Sequence, residues 1–302
     1  MHPVSTTLPL SAALLAACCL TGCGSDDDDD DMMQPEMTTL AMQYTGLTDL
    51  GDDYVYEGWL IVDGAPVTSG RFSVDDAGMA MPASFDIPAD TAAAATTFVL
   101  TIEPAVGDDP APAATHLLAG DFVDGEAMLD VGHAAALADD FMTSDGTFFL
   151  ATPSTSGDAT DENMGIWFLS GGAASLQLPT LPAGWVYEGW AVAGGTPYST
   201  GTFTDPAMAD SDGGGSSAGP DGTPPFPGQD FISMPALDLV GGTAVISIEP
   251  SPDNDPAPFL LKPLVGAISD AGAMVDQDLD QNLGSLPTGM VSLSGLPMAA
   301  DG

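Results

Sequence analysis

The chain has 302 residues, with 44 acidic side chains, 37 of them Asp, against two basic ones, Arg71 and Lys262, for a formal net charge of −42. Two cations cannot neutralise a phosphate backbone or hold a basic face on anionic lipid, which excludes nucleic-acid binding and that mode of membrane contact. Apolar types still make up 44%, enough for a packed core, so the acidity does not imply disorder.

Residues 1–23 read as a lipoprotein signal. The apolar run Leu8–Leu20 is too short to span a bilayer and ends in Leu20-Thr21-Gly22-Cys23. This ending resembles a bacterial-type lipobox, in which Cys23 becomes the lipidated first residue. The n-region departs from the usual pattern, since it has no Lys or Arg. Cys18 and Cys19 lie in the part removed and the lipid consumes Cys23, so no thiol is left for a disulfide, a metal or a nucleophile. The expected location is the periplasmic or extracellular face, with the lipid bilayer as a partner through the acyl anchor. No other stretch reaches membrane-spanning length. Residues 24–38 form an acidic flexible tether, because the six adjacent charges Asp26–Asp31 repel and stay extended.

An internal repeat organises the rest. Tyr54-Val55-Tyr56-Glu57-Gly58-Trp59 returns as Trp185-Val186-Tyr187-Glu188-Gly189-Trp190, an offset of 131 that continues through Gly64/Gly195, Pro66/Pro197, Gly70/Gly201 and Phe72/Phe203. Phe98–Pro104 returns as Ala244–Pro250, and Asp109–Pro112 as Asp255–Pro258, at an offset of 146. The 15-residue change in offset locates an insertion, which fits the Gly/Ser/Pro-rich segment 212–229, expected as an exposed loop.

Strands are expected throughout. Tyr54–Val62 alternates with a period of two, and Asp63–Pro66 reads as a hairpin turn. Thr39–Tyr44 and Leu176–Leu178 are expected as approach strands before the two copies, and Thr147–Ala151 pairs with Gly165–Leu169. Ala134–Phe141 and Met274–Leu283 are read as short accessory helices. Val291–Pro297 is either the closing strand of the second domain or the remnant of a third copy. The fold class is all-β, with two tandem β-sandwich (immunoglobulin-like) domains at 39–172 and 173–302. Each half holds about 130 residues, an ordinary domain size.

The ordered matches Tyr56, Trp59, Leu60, Ile61, Gly64, Pro66, Gly70, Phe72, Glu103, Pro104 and Pro110 resemble the extracytoplasmic C-terminal domain of anti-sigma-K-type regulators. The second copy matches through Tyr187, Trp190, Gly195, Pro197, Gly201, Phe203, Glu249, Pro250 and Pro256. The resemblance implies a cell-envelope location and a sensory or binding module, here duplicated. The cytoplasmic sigma-binding domain and membrane-spanning helix of such regulators have no counterpart in this sequence, so transcriptional control is not implied.

Candidate chemistry is sparse. His116 aligns with Lys262, an exchange that a catalytic base would not tolerate, and His133 has no second ligand at zinc spacing. Neither a Gly-x-Ser-x-Gly elbow nor a phosphate-cradling loop is present. Glu103 and Glu249 recur before Pro at a strand end, and Glu57 and Glu188 recur beside the repeated Trp, so these four are the candidate binding or structural acids. Asp108, Asp109, Asp253 and Asp255 at equivalent turns are weak calcium or sodium candidates, since none fits a twelve-residue calcium loop. No cofactor, catalytic residue or firm metal site is expected.

These features point to a non-enzymatic envelope lipoprotein with a binding or sensory role and an envelope protein as partner. The alternatives are a carboxylate-dependent hydrolase and a structural spacer. Dispersed Asp suits solvation in a salty, halophilic or marine medium, where screening relieves self-repulsion. Unfolding followed against NaCl is expected to show stability rising toward molar salt, and equal stability in dilute buffer would contradict this.

Overall fold

The computed structural model describes residues 35–155, 161–212, 224–232, 237–252 and 255–295, and these are almost entirely strands and turns. Residues 1–34, with Cys23, the segment read as a signal and most of the segment read as a tether, lie outside them. The first strands are β1 (Met37–Thr45), β2 (Tyr54–Val62), β3 (Ala65–Val74), β4 (Ala80–Met81) and β5 (Ser84–Pro88). After the helix α1 (Ala89–Ala94) come β6 (Ala95–Pro104), β7 (His116–Asp121) and β8 (Glu126–Leu129). Next are β9 (Gly146–Leu150), β10 (Gly165–Trp167), β11 (Leu169–Ser170), β12 (Ala173–Ala174), β13 (Trp185–Ala193) and β14 (Thr196–Phe203). β15 (Gly228–Asp230), β16 (Thr243–Pro250), β17 (Leu261–Ala267), β18 (Gln277–Gln281) and β19 (Thr288–Ser294) complete the series.

The two repeated blocks fold alike. β2–β3 and β13–β14 are hairpins whose turn residues, Asp63-Gly64 and Gly194-Gly195, take left-handed φ of 52° and 78°, and 60° and 83°. Such pairs match the strand twist of a two-residue hairpin. Each hairpin shifts register at the same place, between Gly58 and Trp59 and between Gly189 and Trp190. The sheets then run β3-β2-β6-β7 in the first unit and β14-β13-β16-β17 in the second.

Packing beneath the hairpins differs in origin but not in shape. A Cβ on Gly58 would lie 2.6 Å from the ring of Phe98, and one on Gly189 would lie 2.7 Å from the ring of Phe168. Phe98 belongs to β6 itself. Its counterpart in β16 is Ala244, whose small side chain leaves room for Phe168, which follows β10. Volume is conserved although the residue supplying it moves, as close-packed interiors require. In the first unit Tyr44 of β1 stacks on Phe72 of β3 at 5.4 Å, and Tyr56 of β2 stacks on the same ring at 5.5 Å, which joins the two sheets across one core.

Several expectations need correction. The cut near Ser170–Ala174 does not separate the sheets, because β9 and β10, from the first half, pair into the sheet of β13–β18. β19, from the end of the chain, lies between β1 and β8 of the first unit. It therefore closes the first unit rather than the second. Met37 and Thr38, read as tether, already belong to β1. Ala134–Phe141 forms turns, not a helix, and Phe141 and Ala138 there have φ near 60°. Met274–Leu283 contains strand β18 instead of a helix, since Gln277 and Leu279 are buried at alternate positions. The one α-helix described is α1, and Leu176–Leu178 contributes a single bridge, Asp145 with Gln177, rather than a strand. Residues 213–223 of the insertion lie outside the described residues, but its end is no loop, since β15 pairs with β10 and buries Asp230.

Candidate functional site

The register of β2 against β6 places Val55 opposite Glu103, Glu57 opposite Thr101 and Trp59 opposite Val99. Odd-numbered positions share one sheet face, so Glu57, Trp59, Thr101 and Glu103 stand together, away from Tyr56 and Leu60 in the main core. Trp59 Nε1 donates to Thr101 Oγ1 at 2.9 Å, and Thr101 Oγ1 donates to Glu103 Oε1. Ala113 N, in the following turn, donates to the same carboxylate oxygen at 2.8 Å. A buried indole N–H needs an acceptor, and the hydroxyl passes that demand on to the carboxylate.

The second unit repeats the relay. Trp190 Nε1 donates to Ser247 Oγ at 2.8 Å, Ser247 Oγ donates to Glu249 Oε1, and Phe259 N donates to Glu249 at 2.9 Å. The other two glutamates are tied as well: Thr68 Oγ1 donates to Glu57 and Ser199 Oγ donates to Glu188. All four are buried, Glu103 completely. Burial pushes the Glu103 carboxyl above its usual range, against the lowering effect of its bonds from Thr101 and Ala113.

The units differ in their cations. Arg71 of β3 lies opposite Glu57, with Nε 3.5 Å from Glu57 Oε2 and Nη2 3.8 Å from Asp108 Oδ2, and it donates to Pro104 O. The residue opposite Glu188 is Thr202. The second unit carries Lys262 instead, at the place of His116, whose Nδ1 lies 2.9 Å from Ala135 O. Lys262 opens on a cleft of 490 Å³ between the loop Thr48–Tyr54 of the first unit and the corner Glu249–Lys262 of the second. Tyr54 and Phe259 supply rings to its walls, and Asp49, Asp53 and Asp255 supply carboxylates. Burial lowers the Lys262 pKa, while the charge of Glu249 opposes that shift.

The sequence-predicted residues thus fall into distinct places. Glu57 and Glu103 share one face of the β2–β6 pair, Glu188 and Glu249 share one face of the β13–β16 pair in a separate sheet, and of the four only Glu249 lines the cleft. Asp108 pairs with Arg71, whereas Asp109 and Asp255 accept from Ala111 N and Ala257 N, at 3.0 Å each, and so hold the two Asp-Pro turns. Asp253 and Cys23 lie outside the described residues. Among the described residues no group of three His, Cys, Asp or Glu side chains could hold a metal, and no helix is long and apolar enough to cross a membrane. No motif in the sequence marks Lys262, Arg71 or the relay hydroxyls as site residues. The scarcity of cations was the available signal for the first two. Nor does a motif mark Asp230, whose carboxylate accepts from Ser154 N at 2.8 Å and whose pKa burial raises.

Residues 31–116 match the family model described as "Anti-sigma-K factor rskA, C-terminal". The match runs from before β1 to the start of β7, so the resemblance read from Tyr56–Pro110 holds over that stretch. No curated protein and no solved structure matches the chain.

Because burial raises the folded-state pKa of Glu103, its proton stabilises the fold below the unfolded carboxylate range, and that contribution is lost as pH rises through the folded pKa. Glu103→Gln keeps an acceptor for Thr101 and Ala113 but cannot ionise. Urea unfolding at about pH 4 and about pH 7 is expected to show wild type losing stability relative to Glu103→Gln on going to the higher pH. The same difference at both pH values would contradict it.

Proposed function

We propose that the chain is a non-enzymatic cell-envelope lipoprotein, anchored through Cys23, whose two β units form a binding module for an envelope protein. The proposed contact surface is the cleft between Thr48–Tyr54 and the corner Glu249–Lys262. The observation that carries this reading is the use of the recurrent glutamates as buried acceptors inside the sheets. A carboxylate-dependent hydrolase needs two carboxylates about 5–9 Å apart, both open to one cleft. No two of the four recurrent glutamates meet that need, since Glu57, Glu103 and Glu188 line no part of the cleft and Glu249 accepts from Ser247 and Phe259 within its own corner. Of the cleft's Asp carboxylates, Asp49 and Asp255 accept from Gly51 N and Ala257 N and so hold their own turns.

The chemistry of the cleft supports recognition of a partial kind. Tyr54 and Phe259 offer apolar contact, and Lys262 is the single lysine of a chain with 44 acids. Elsewhere on this surface an acidic group of a partner meets like charge, which suppresses wrong partners and fixes register at the one ammonium. The anti-sigma-K-type stretch at 31–116 supports an interaction role for the first unit.

A pulldown of the anchored protein from its own envelope, at low and high salt, tests the proposal. Wild type is expected to retain a discrete protein at low salt. Lys262→Glu is expected to lower that retention on the order of tenfold, the effect of losing one charge-assisted hydrogen bond. No partner at either salt, or a hydrolytic activity lost in Glu249→Gln, would overturn the reading.

A further inference from the structure

The place of β19 in the first unit is the place of β9 in the second. β9 lies between β18 and β10, and β19 lies between β8 and β1. Gly146 of β9 pairs with Leu279, and Gly289 of β19 pairs with Leu129. Two residues on, Phe148 and Val291 are both fully buried, and two further on stand Leu150 and Leu293, also buried. Both glycines sit under a side chain: a Cβ on Gly146 would lie 2.7 Å from a methyl of Leu176, and one on Gly289 2.7 Å from the ring of Tyr44. Among the described residues no strand precedes β1 to take that place in the first unit, and β19, the last strand described, fills it.

We propose that the slot between β1 and β8 is a strand-acceptor site, and that Thr288–Ser294 of a second copy enters it in place of the chain's own strand, linking copies head to tail. The occupant is set by the fit already present. β19 has seven register partners on β1 and four on β8, with a glycine where Tyr44 leaves no room for a side chain. An exchanged strand keeps every one of these contacts. What changes is confined to the hinge 282–287, where Asn282 N donates to Pro263 O at 2.8 Å, Asn282 Nδ2 to Lys262 O at 3.0 Å and Ser285 N to Asn282 O at 3.1 Å. Exchange of an identical element across a short hinge is a low-cost route to association, and a head-to-tail contact that does not close on itself continues into longer assemblies. The proposal is independent of the cleft and its ligand.

Cysteines divided between two chains report the exchange. Gln43 and Met290 are direct partners across β1 and β19, a spacing within reach of a disulfide. Full-length chains with Cys18, Cys19 and Cys23 replaced by Ser would carry Gln43→Cys in one and Met290→Cys in the other. The two are refolded together over a range of protein concentrations and oxidised. Dimers bridged between positions 43 and 290 are expected, with a yield that rises with concentration, and Gly289→Trp in the donor chain is expected to cut that yield at least about tenfold. A chain carrying both substitutions should bridge internally at low concentration. Unlinked monomers at every concentration would overturn the proposal. So would a dimer yield indifferent to Gly289→Trp, or failure of the doubly substituted chain to bridge, since that denies the register itself.

Discussion

At Trp59 and Trp190 a buried indole N–H finds an acceptor on the neighbouring strand, and the way it does so shapes both units, whereas the buried Trp185 Nε1 has no such partner among the described residues. Trp59 and Trp190 each donate to a hydroxyl on the neighbouring strand, and the hydroxyl donates to the glutamate two residues further along. The glutamate in turn accepts a backbone N–H from the turn that leads to the next strand. One relay thereby ties a hairpin strand, its neighbour and the following corner. The Glu-Pro corner is held where the strand ends, and in the second unit the cleft is built against that corner. Unpaired members of such a network would each carry a desolvation penalty, which is why the parts recur together.

This view explains why the most conspicuous acids of an acidic protein lie inside it. Among the described residues most Asp side chains lie outside the strands, several of them accepting from a backbone N–H two residues on, as Asp109, Asp139, Asp205 and Asp255 do. Glutamate reaches further and is used where a carboxylate must bridge from strand to turn. Cations are reserved for two places: Arg71 neutralises the Glu57 side of the first unit, and Lys262 stands at the edge of the second relay.

Much of this was legible in residue patterns. Period-two alternation at Tyr54–Val62, turn pairs at Asp63-Gly64 and Gly194-Gly195, and strands stopped by Pro104 and Pro250 all report local chemistry, and the strands follow them. The pairing of Glu103 with Thr101, or of Glu249 with Ser247, was not read out, although the two-residue spacing was visible, because the role of the hydroxyl depends on the Trp across the sheet. The helical readings of Ala134–Phe141 and Met274–Leu283 failed for a related reason. Their apolar residues face packing partners far away in sequence, and tertiary context decided their form. Least legible was closure. Nothing local in Thr288–Ser294 says that it pairs with β1, more than 240 positions earlier, and only the Gly-x-apolar-x-Leu pattern it shares with Gly146–Leu150 hints at equivalence.

Each Trp–hydroxyl–Glu relay acts as a unit of the fold. A double-mutant cycle on unfolding free energy tests it directly, with Trp59→Phe and Glu103→Ala in one unit and Trp190→Phe and Glu249→Ala in the other. In neither pair does the structure show a direct hydrogen bond between the two side chains. A coupling energy of about 0.5–3 kcal/mol in each cycle is the predicted result, carried by the intervening hydroxyl. Effects that add to within about 0.3 kcal/mol would show independent residues and contradict the account.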